Sequence, residues 1–154
     1  MTRVLGVDPG LTGGVALLDT AGDTLRVEDI PVIALARGAE ISETLLAQLI
    51  RDMAPEVAWI ERVASMPKQG VASTFKFGMG YGIARGVIGA LGVPLFLVTP
   101  VEWKREFRLR ADKEQSRVLA CRMFPASVDR FSRKRDNGRA EASLIAVFGA
   151  RQGF

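Results

Sequence analysis

Asp8 closes the apolar run Val4-Leu5-Gly6-Val7, and Glu61 closes a second, Val57-Ala58-Trp59-Ile60. Short runs rich in Val and Ile read as strands buried on both faces, so an acid at the tip of each has no solvent-facing reason to stand there. In an open α/β sheet, ligands bind in the crevice outside the strand ends. Two carboxylates brought together there repel each other unless a hard cation lies between them, and magnesium is the natural one. Taken singly, each acid has a plainer reading: Asp8 can cap a turn, and Glu61 can pair with Arg62 or a more distant lysine.

What the chain lacks narrows the chemistry further. It has no histidine, which excludes a histidine general base, a Ser-His-Asp triad and the usual zinc sites. Cys121 is its one cysteine and falls in an apolar helical pattern, so disulfides and multi-cysteine metal sites are excluded and a reducing, cytoplasmic setting is expected. Carboxylate, lysine and hydroxyl remain. Lys and Arg number 21 against 17 Asp and Glu, for a net charge of +4. With several acids assigned to a site or to helix caps, the remaining surface is more basic than the net value, which favours a polyanionic partner such as nucleic acid. The first residues lead straight into a strand rather than a signal peptide. No apolar run reaches the ~18 residues of a membrane span, so no membrane association is expected.

The elements that must position these acids follow from periodicity. Residues 3 to 8, 14 to 18 and 25 to 30 read as three strands joined by short turns, an antiparallel meander. Over 40 to 53, Ile41, Leu45, Leu46, Leu49, Ile50 and Met53 share one helical face, and Pro55 ends the helix before the strand that finishes in Glu61. Residues 72 to 91 read as a long helix in which Gly78, Gly82 and Gly86 recur every four residues. Each costs on the order of 1 kcal/mol relative to Ala, so close approach of a backbone or ligand is expected to compensate. A strand over 95 to 98 leads to Thr99-Pro100-Val101-Glu102, a capping box. A further helix starts at Asp112-Lys113 and stops before Pro125, and the last helix carries Glu141 with Ala142, Leu144, Ile145 and Phe148 on its apolar side. The expected fold class is α/β: one domain over 1–154, with a mixed five-stranded sheet (three antiparallel strands, then parallel ones) and helices on both faces.

Together the motifs resemble those of RuvC-type Holliday-junction resolvases, in the form carried by some bacteriophages, within the RNase H-like (retroviral-integrase-like) nuclease superfamily. The resemblance runs from Gly6-Val7-Asp8-Pro9-Gly10 and Ile60-Glu61, through Met66-Pro67-Lys68-Gln69-Gly70 and Ser73-Thr74-Phe75-Lys76-Phe77-Gly78, to Val98-Thr99-Pro100-Val101-Glu102-Trp103-Lys104. It closes with Asp112-Lys113 and Asn137-Gly138-Arg139-Ala140-Glu141-Ala142. It implies that Asp8, Glu61 and Glu141 are catalytic metal ligands. The family usually has a further acid or histidine near the start of the last helix, but the position three before Glu141 is Gly138. Asp136 is the nearest carboxylate and is assigned as the fourth ligand. Asn137 could supply a carbonyl oxygen instead or cap the helix, and the plainer reading of Asp136 is a solvated acid among Arg133, Lys134, Arg135 and Arg139.

The implied activity is hydrolysis of four-way DNA junctions by paired symmetrical nicks. It would use two Mg²⁺ ions about 3.5–4 Å apart, for which Mn²⁺ is expected to substitute, and no nucleotide cofactor. Lys104 and Lys113 are expected near the scissile phosphate; Lys113 opposes the dipole of the helix it begins, so helix stability does not account for it. The alternative for either is a solvated surface lysine. Lys68, Gln69, Phe75 and Lys76 are expected to contact DNA as a wedge of aromatic and basic side chains, with one of Phe75 and Phe77 in the core. Arg133, Lys134 and Arg139 add a basic DNA-binding stretch. The glycine-bearing helix could pack against a second copy, giving a homodimer that presents two sites to two opposed strands. Two rival readings remain: an RNase H-like nuclease acting on RNA in pre-rRNA processing, and a junction-binding protein without catalysis.

Overall fold

The structure, a computed structural model, describes residues 2–153. Strands β1 (Arg3–Asp8), β2 (Gly14–Asp19) and β3 (Thr24–Asp29) form the antiparallel meander. A short ribbon of β4 (Val32–Ala34) and β5 (Ala39–Ile41) follows. This ribbon corrects the expected start of the first helix, because Glu40 and Ile41 pair in β5. The Ser42 N–H is held by the Pro31 carbonyl at 2.9 Å while the Ser42 hydroxyl accepts from the Leu45 N–H, so the chain turns helical only after Ser42. Helix α1 (Glu43–Met53) crosses to β6 (Val57–Glu61), and α2 (Val71–Ala90) crosses to β7 (Leu95–Val98). Then come α3 (Pro100–Glu106), α4 (Lys113–Met123), two 3₁₀ turns over Pro125–Arg130 and Lys134–Asp136, and α5 (Asn137–Gln152).

The five strands stand in the order β3-β2-β1-β6-β7, with β6 and β7 parallel to β1, as the α/β reading requires. Alternation along the central strands gives each sheet face its cover. Leu5, Val7, Ala58 and Ile60 pack with Leu46 and Ile50 of α1 and Ala84 and Ile88 of α2. The opposite face receives α5, which is buried nearly all round: Ala140, Ala142, Leu144, Ile145 and Ala146 are wholly enclosed. Glycine makes this close seat possible. A Cβ on Gly6 would overlap the Ala142 carbonyl, and one on Gly138 would overlap the carbonyl of Thr12, where Gly13 and Gly138 form an isolated bridge.

The glycine stripe of α2 behaves otherwise. A Cβ at Gly78, Gly82 or Gly86 would meet nothing within 4 Å beyond the helix's own neighbouring backbone, so among the described residues the expected compensation is absent. The expectation that one phenylalanine enters the core also fails: Phe75 is 71% and Phe77 40% exposed. In α2 the buried positions are Gly80, Ala84 and Ile88, which leaves the first two turns, where both rings lie, outside the core.

Candidate active site

Register brings the first two acids together. β1 and β6 pair as Val4↔Val57 through Val7↔Ile60, and the same offset carried one residue further sets Asp8 beside Glu61 at the C-terminal strand ends. Asp8 shares the parity of Gly6, and Glu61 that of Trp59, so both lie on the face covered by α5. Gly6 abuts Ala142 of α5, and Trp59 abuts Gly149. There α5 supplies Glu141, which is only 8% exposed.

Each carboxylate has an incomplete shell. Asp8 Oδ1 accepts from the Gly10 N–H at 3.3 Å, and Glu61 Oε2 accepts from Trp103 Nε1 at 2.7 Å. Glu141 Oε1 is buried with no hydrogen-bond partner and lies 3.8 Å from Lys104 Nζ. Burial, then the charges of Glu141 and Glu61, push Asp8 up to about 7 against the pull of the Gly10 N–H and Lys113. Glu61 is also raised, first by burial and then by Glu141, although the Trp103 N–H, Lys104 and Lys113 oppose the rise. Three mutually repelling carboxylates, one with an orphaned oxygen, suit a hard cation in charge and donor type. Among the described residues, no group of three or more acidic, cysteine or histidine side chains is yet close enough to enclose one ion.

Lys104 and Lys113 both act on these acids, Lys104 at 3.8 Å from Glu141 and Lys113 through its charge. The Thr99 capping box forms, with Thr99 N–H donating to Glu102 Oε2 at 2.7 Å and Glu102 N–H to Thr99 Oγ1 at 3.2 Å. It launches α3 from the end of β7, whose Val98 pairs with Glu61, and so directs Trp103 and Lys104 at the acids. Lys113 opens α4 and lies within the field of Asp8 and Glu61.

Asp136 does not join them. It is 1% exposed, its Oδ2 accepts the Arg133 N–H at 2.9 Å, its Oδ1 accepts Arg133 Nη2 at 2.8 Å, and Arg139 Nη1 stands 3.6 Å away. Burial alone would raise its pKa, but the Arg133 hydrogen bonds and charge, with Arg139, outweigh that and hold it below the usual carboxylate range. In this structure the Asp136 carboxylate is thus engaged by Arg133 and Arg139 at the approach to α5. Arg139 is engaged a second time, since its guanidinium grips Asp29 at 2.6 and 2.9 Å. Arg133 is half taken up by Asp136, while Lys134 is exposed.

Before α2, Lys68 adopts φ +67°. Gln69 is tied into its own loop, accepting from the Met66 N–H and donating to the Ser73 hydroxyl. Phe75 and Lys76 are exposed, and Lys76 reaches Gly38 at the tip of the β4–β5 ribbon. The sequence reading gives no role to Trp103, whose ring is wholly buried and orients Glu61; its place beside Lys104 in a capped helix was the available signal. Asn137 lies one turn before Glu141, on the same helix face, and its buried Oδ1 has no hydrogen-bond partner among the described residues.

The sheet order and the buried helix bearing Glu141 define an RNase H-like fold, shared with Thermus thermophilus RuvC in complex with Holliday junction substrate. That match has a TM-score of 0.69 at 17% identity and covers 99% of this chain and 97% of the other. No family model matches the chain. It is 32% identical over 132 residues to the crossover junction endodeoxyribonuclease RuvC of Streptomyces avermitilis, covering 79% of this chain and 74% of that protein. The RuvC of Nocardioides sp. is 30% identical over 142 residues, at 82% and 79% coverage. The chain belongs to the RuvC family of crossover junction endodeoxyribonucleases. It spans 58% and 59% of the length of the matching proteins of Corynebacterium efficiens and Corynebacterium glutamicum.

Proposed function

We propose that the protein is a divalent-metal-dependent endonuclease that resolves four-way DNA junctions by paired symmetrical nicks. The observation that carries this reading is the convergence of Asp8, Glu61 and Glu141, from three distant segments, on one strand-end crevice flanked by Lys104 and Lys113. Asp8, Glu61 and Glu141 would hold two magnesium ions, with the Asn137 amide oxygen as a neutral fourth donor. Two divalent ions against three carboxylates and one phosphodiester leave no net charge. When bound, magnesium supplies Lewis-acid polarisation of the phosphoryl oxygens and neutralises charge on the leaving oxygen.

The chain's own groups do the rest. Trp103 Nε1 fixes the rotamer of Glu61, and Lys104 and Lys113 bring positive charge to the phosphate from two helices. Phe75, exposed beside Lys76, is suited to stack on bases unpaired at the branch point. Lys68 and Lys134 add phosphate contacts. A second copy packed on the exposed glycine stripe of α2 would set two sites against opposed strands.

A labelled mobile junction incubated with Mg²⁺ and then with EDTA tests this. Paired symmetrical nicks that vanish with EDTA support the reading. Preferred cleavage of linear single-stranded RNA moves the protein to the RNA-processing class, and tight junction binding with no nick in any divalent metal makes it a binding protein.

A further inference from the structure

Along α3 and the loop that follows it lies an open groove of about 680 Å³ lined by Lys104, Arg105, Arg108 and Arg110, with Val101 and Leu109 between them. Among the described residues no acidic side chain lines it. The two acids of α3 are engaged elsewhere, Glu102 in the capping box and Glu106 with Arg151 at 3.2 Å. Nor do Arg105, Arg108 and Arg110 form a side-chain ion pair with any described residue. Neighbouring cations repel each other, and the one acid that feels the cluster, Glu102, is held first by its Thr99 hydrogen bonds and only then by the charge of Arg105.

The backbone adds a second observation. Helix α3 ends in a Schellman motif: the Arg108 N–H bonds to the Arg105 carbonyl at 3.0 Å, and the Leu109 N–H to the Lys104 carbonyl at 2.8 Å. The left-handed position of that motif normally belongs to glycine, yet it is held by Arg108 at φ +54°. An arginine kept in an unfavourable backbone conformation, facing a groove without counter-charge, is placed there for its side chain. Lys104, which lines the groove, stands 3.8 Å from Glu141, so one side chain is shared between the groove and the acid centre.

We infer that this groove receives the phosphodiester backbone of a duplex arm leading away from the scissile phosphate, with Arg105, Arg108 and Arg110 each neutralising a phosphate. The inference rests on the junction-nuclease reading and extends it to residues outside the catalytic centre. Backbone rather than bases is indicated because no aromatic ring lines the groove. Trp103 is buried, and Phe107 is covered by the Arg151 guanidinium 4.9 Å from its ring centre.

Salt dependence tests it. Each phosphate neutralised on B-DNA contributes a slope of about −0.9 to log affinity against log salt. In full-length protein carrying Asp8→Asn, so that no strand is cut, the triple change Arg105→Gln, Arg108→Gln, Arg110→Gln should flatten the slope for a junction with long duplex arms by about 3. Arg108→Gly alone should flatten it by about 1 while holding or raising the melting temperature, since glycine relieves the left-handed strain. Arg51→Gln, on α1 at the opposite sheet face, serves as the control. Slopes unchanged by the groove variants, an equal loss in the control, or a loss confined to single-stranded DNA each overturn the inference. If the wild type nicks junctions yet the slopes do not move, this inference alone fails. If the slopes move but nothing is nicked, the groove stands as a duplex-binding surface and the nuclease reading fails.

Discussion

At Asp8 the fold carries an electrostatic cost that a cation can remove. Its pKa in the fold, about 7, lies above the ordinary 3.8. The protonated form is thus the one the metal-free fold favours; its contribution is complete below about pH 4 and is lost as pH rises through 7. Glu61 shifts in the same sense, whereas Asp136 is lowered and acts only in acid, so pH 5.5 to 8 isolates the cluster. Metal-free protein should melt at a lower temperature at pH 8 than at pH 5.5. Saturating Mg²⁺ should close the gap, and its binding should release protons, read as a buffer-dependent heat in calorimetry. Asp8→Asn should raise the metal-free stability at pH 8 by on the order of 1–2 kcal/mol, allowing for screening, and abolish nicking while leaving junction binding intact. Nicking at a normal rate by that variant removes Asp8 from the site. A second residue-scale test concerns the fourth donor: Asn137→Ala should weaken Mg²⁺ binding severalfold in calorimetry, and unchanged affinity would assign its orphaned oxygen to water.

These residues were not equally legible. Asp8 and Glu61 stand out because a buried strand tip has no other use for an acid, and the parallel register then makes neighbours of them. Asp136 is harder to read, because proximity in sequence to Glu141 says nothing of which way the carboxylate turns. The spacing accounts for its contacts here: Arg133 and Arg139 sit three residues to either side, where each can reach it.

Among the elements, α5 decides the geometry, and glycine decides where α5 can sit. Gly138 stands three residues before Glu141, where the resemblance leads one to expect an acid, and it presses on the Thr12 carbonyl and Gly13. Gly138→Asp should therefore add no ligand. It should push α5 off the β1–β2 turn and destabilise the protein by about 2–4 kcal/mol in denaturant titration, the range of an overpacked core with a buried unpaired charge. A stable variant with tighter metal binding would show that the seat can yield. None of these close approaches was legible, because a single glycine in a strand or helix signals a contact without naming its partner. The ribbon of β4 and β5 was hidden for another reason: three-residue strands give no period to read, and Ile41 fits the helical face of α1 equally well.

For the whole molecule, the open question is what α2 is shaped to meet. Its glycines reduce helix stability by on the order of 1 kcal/mol each relative to alanine, yet among the described residues nothing beyond the helix's own neighbouring backbone comes within 4 Å of a Cβ placed at Gly78, Gly82 or Gly86. Within one copy this is a net loss, so Gly82→Ala should stabilise the isolated chain by roughly 0.4–1 kcal/mol through helix propensity. If two copies pair through α2, the added methyl instead meets the partner's backbone and association weakens. The two effects have opposite signs and separate readouts: denaturation at low protein concentration for the first, sedimentation across a concentration series for the second. The expected result is a more stable monomer that dimerises more weakly and leaves a larger fraction of junctions with a single nick. A variant that gains stability and associates as before would take the stripe out of any interface between copies.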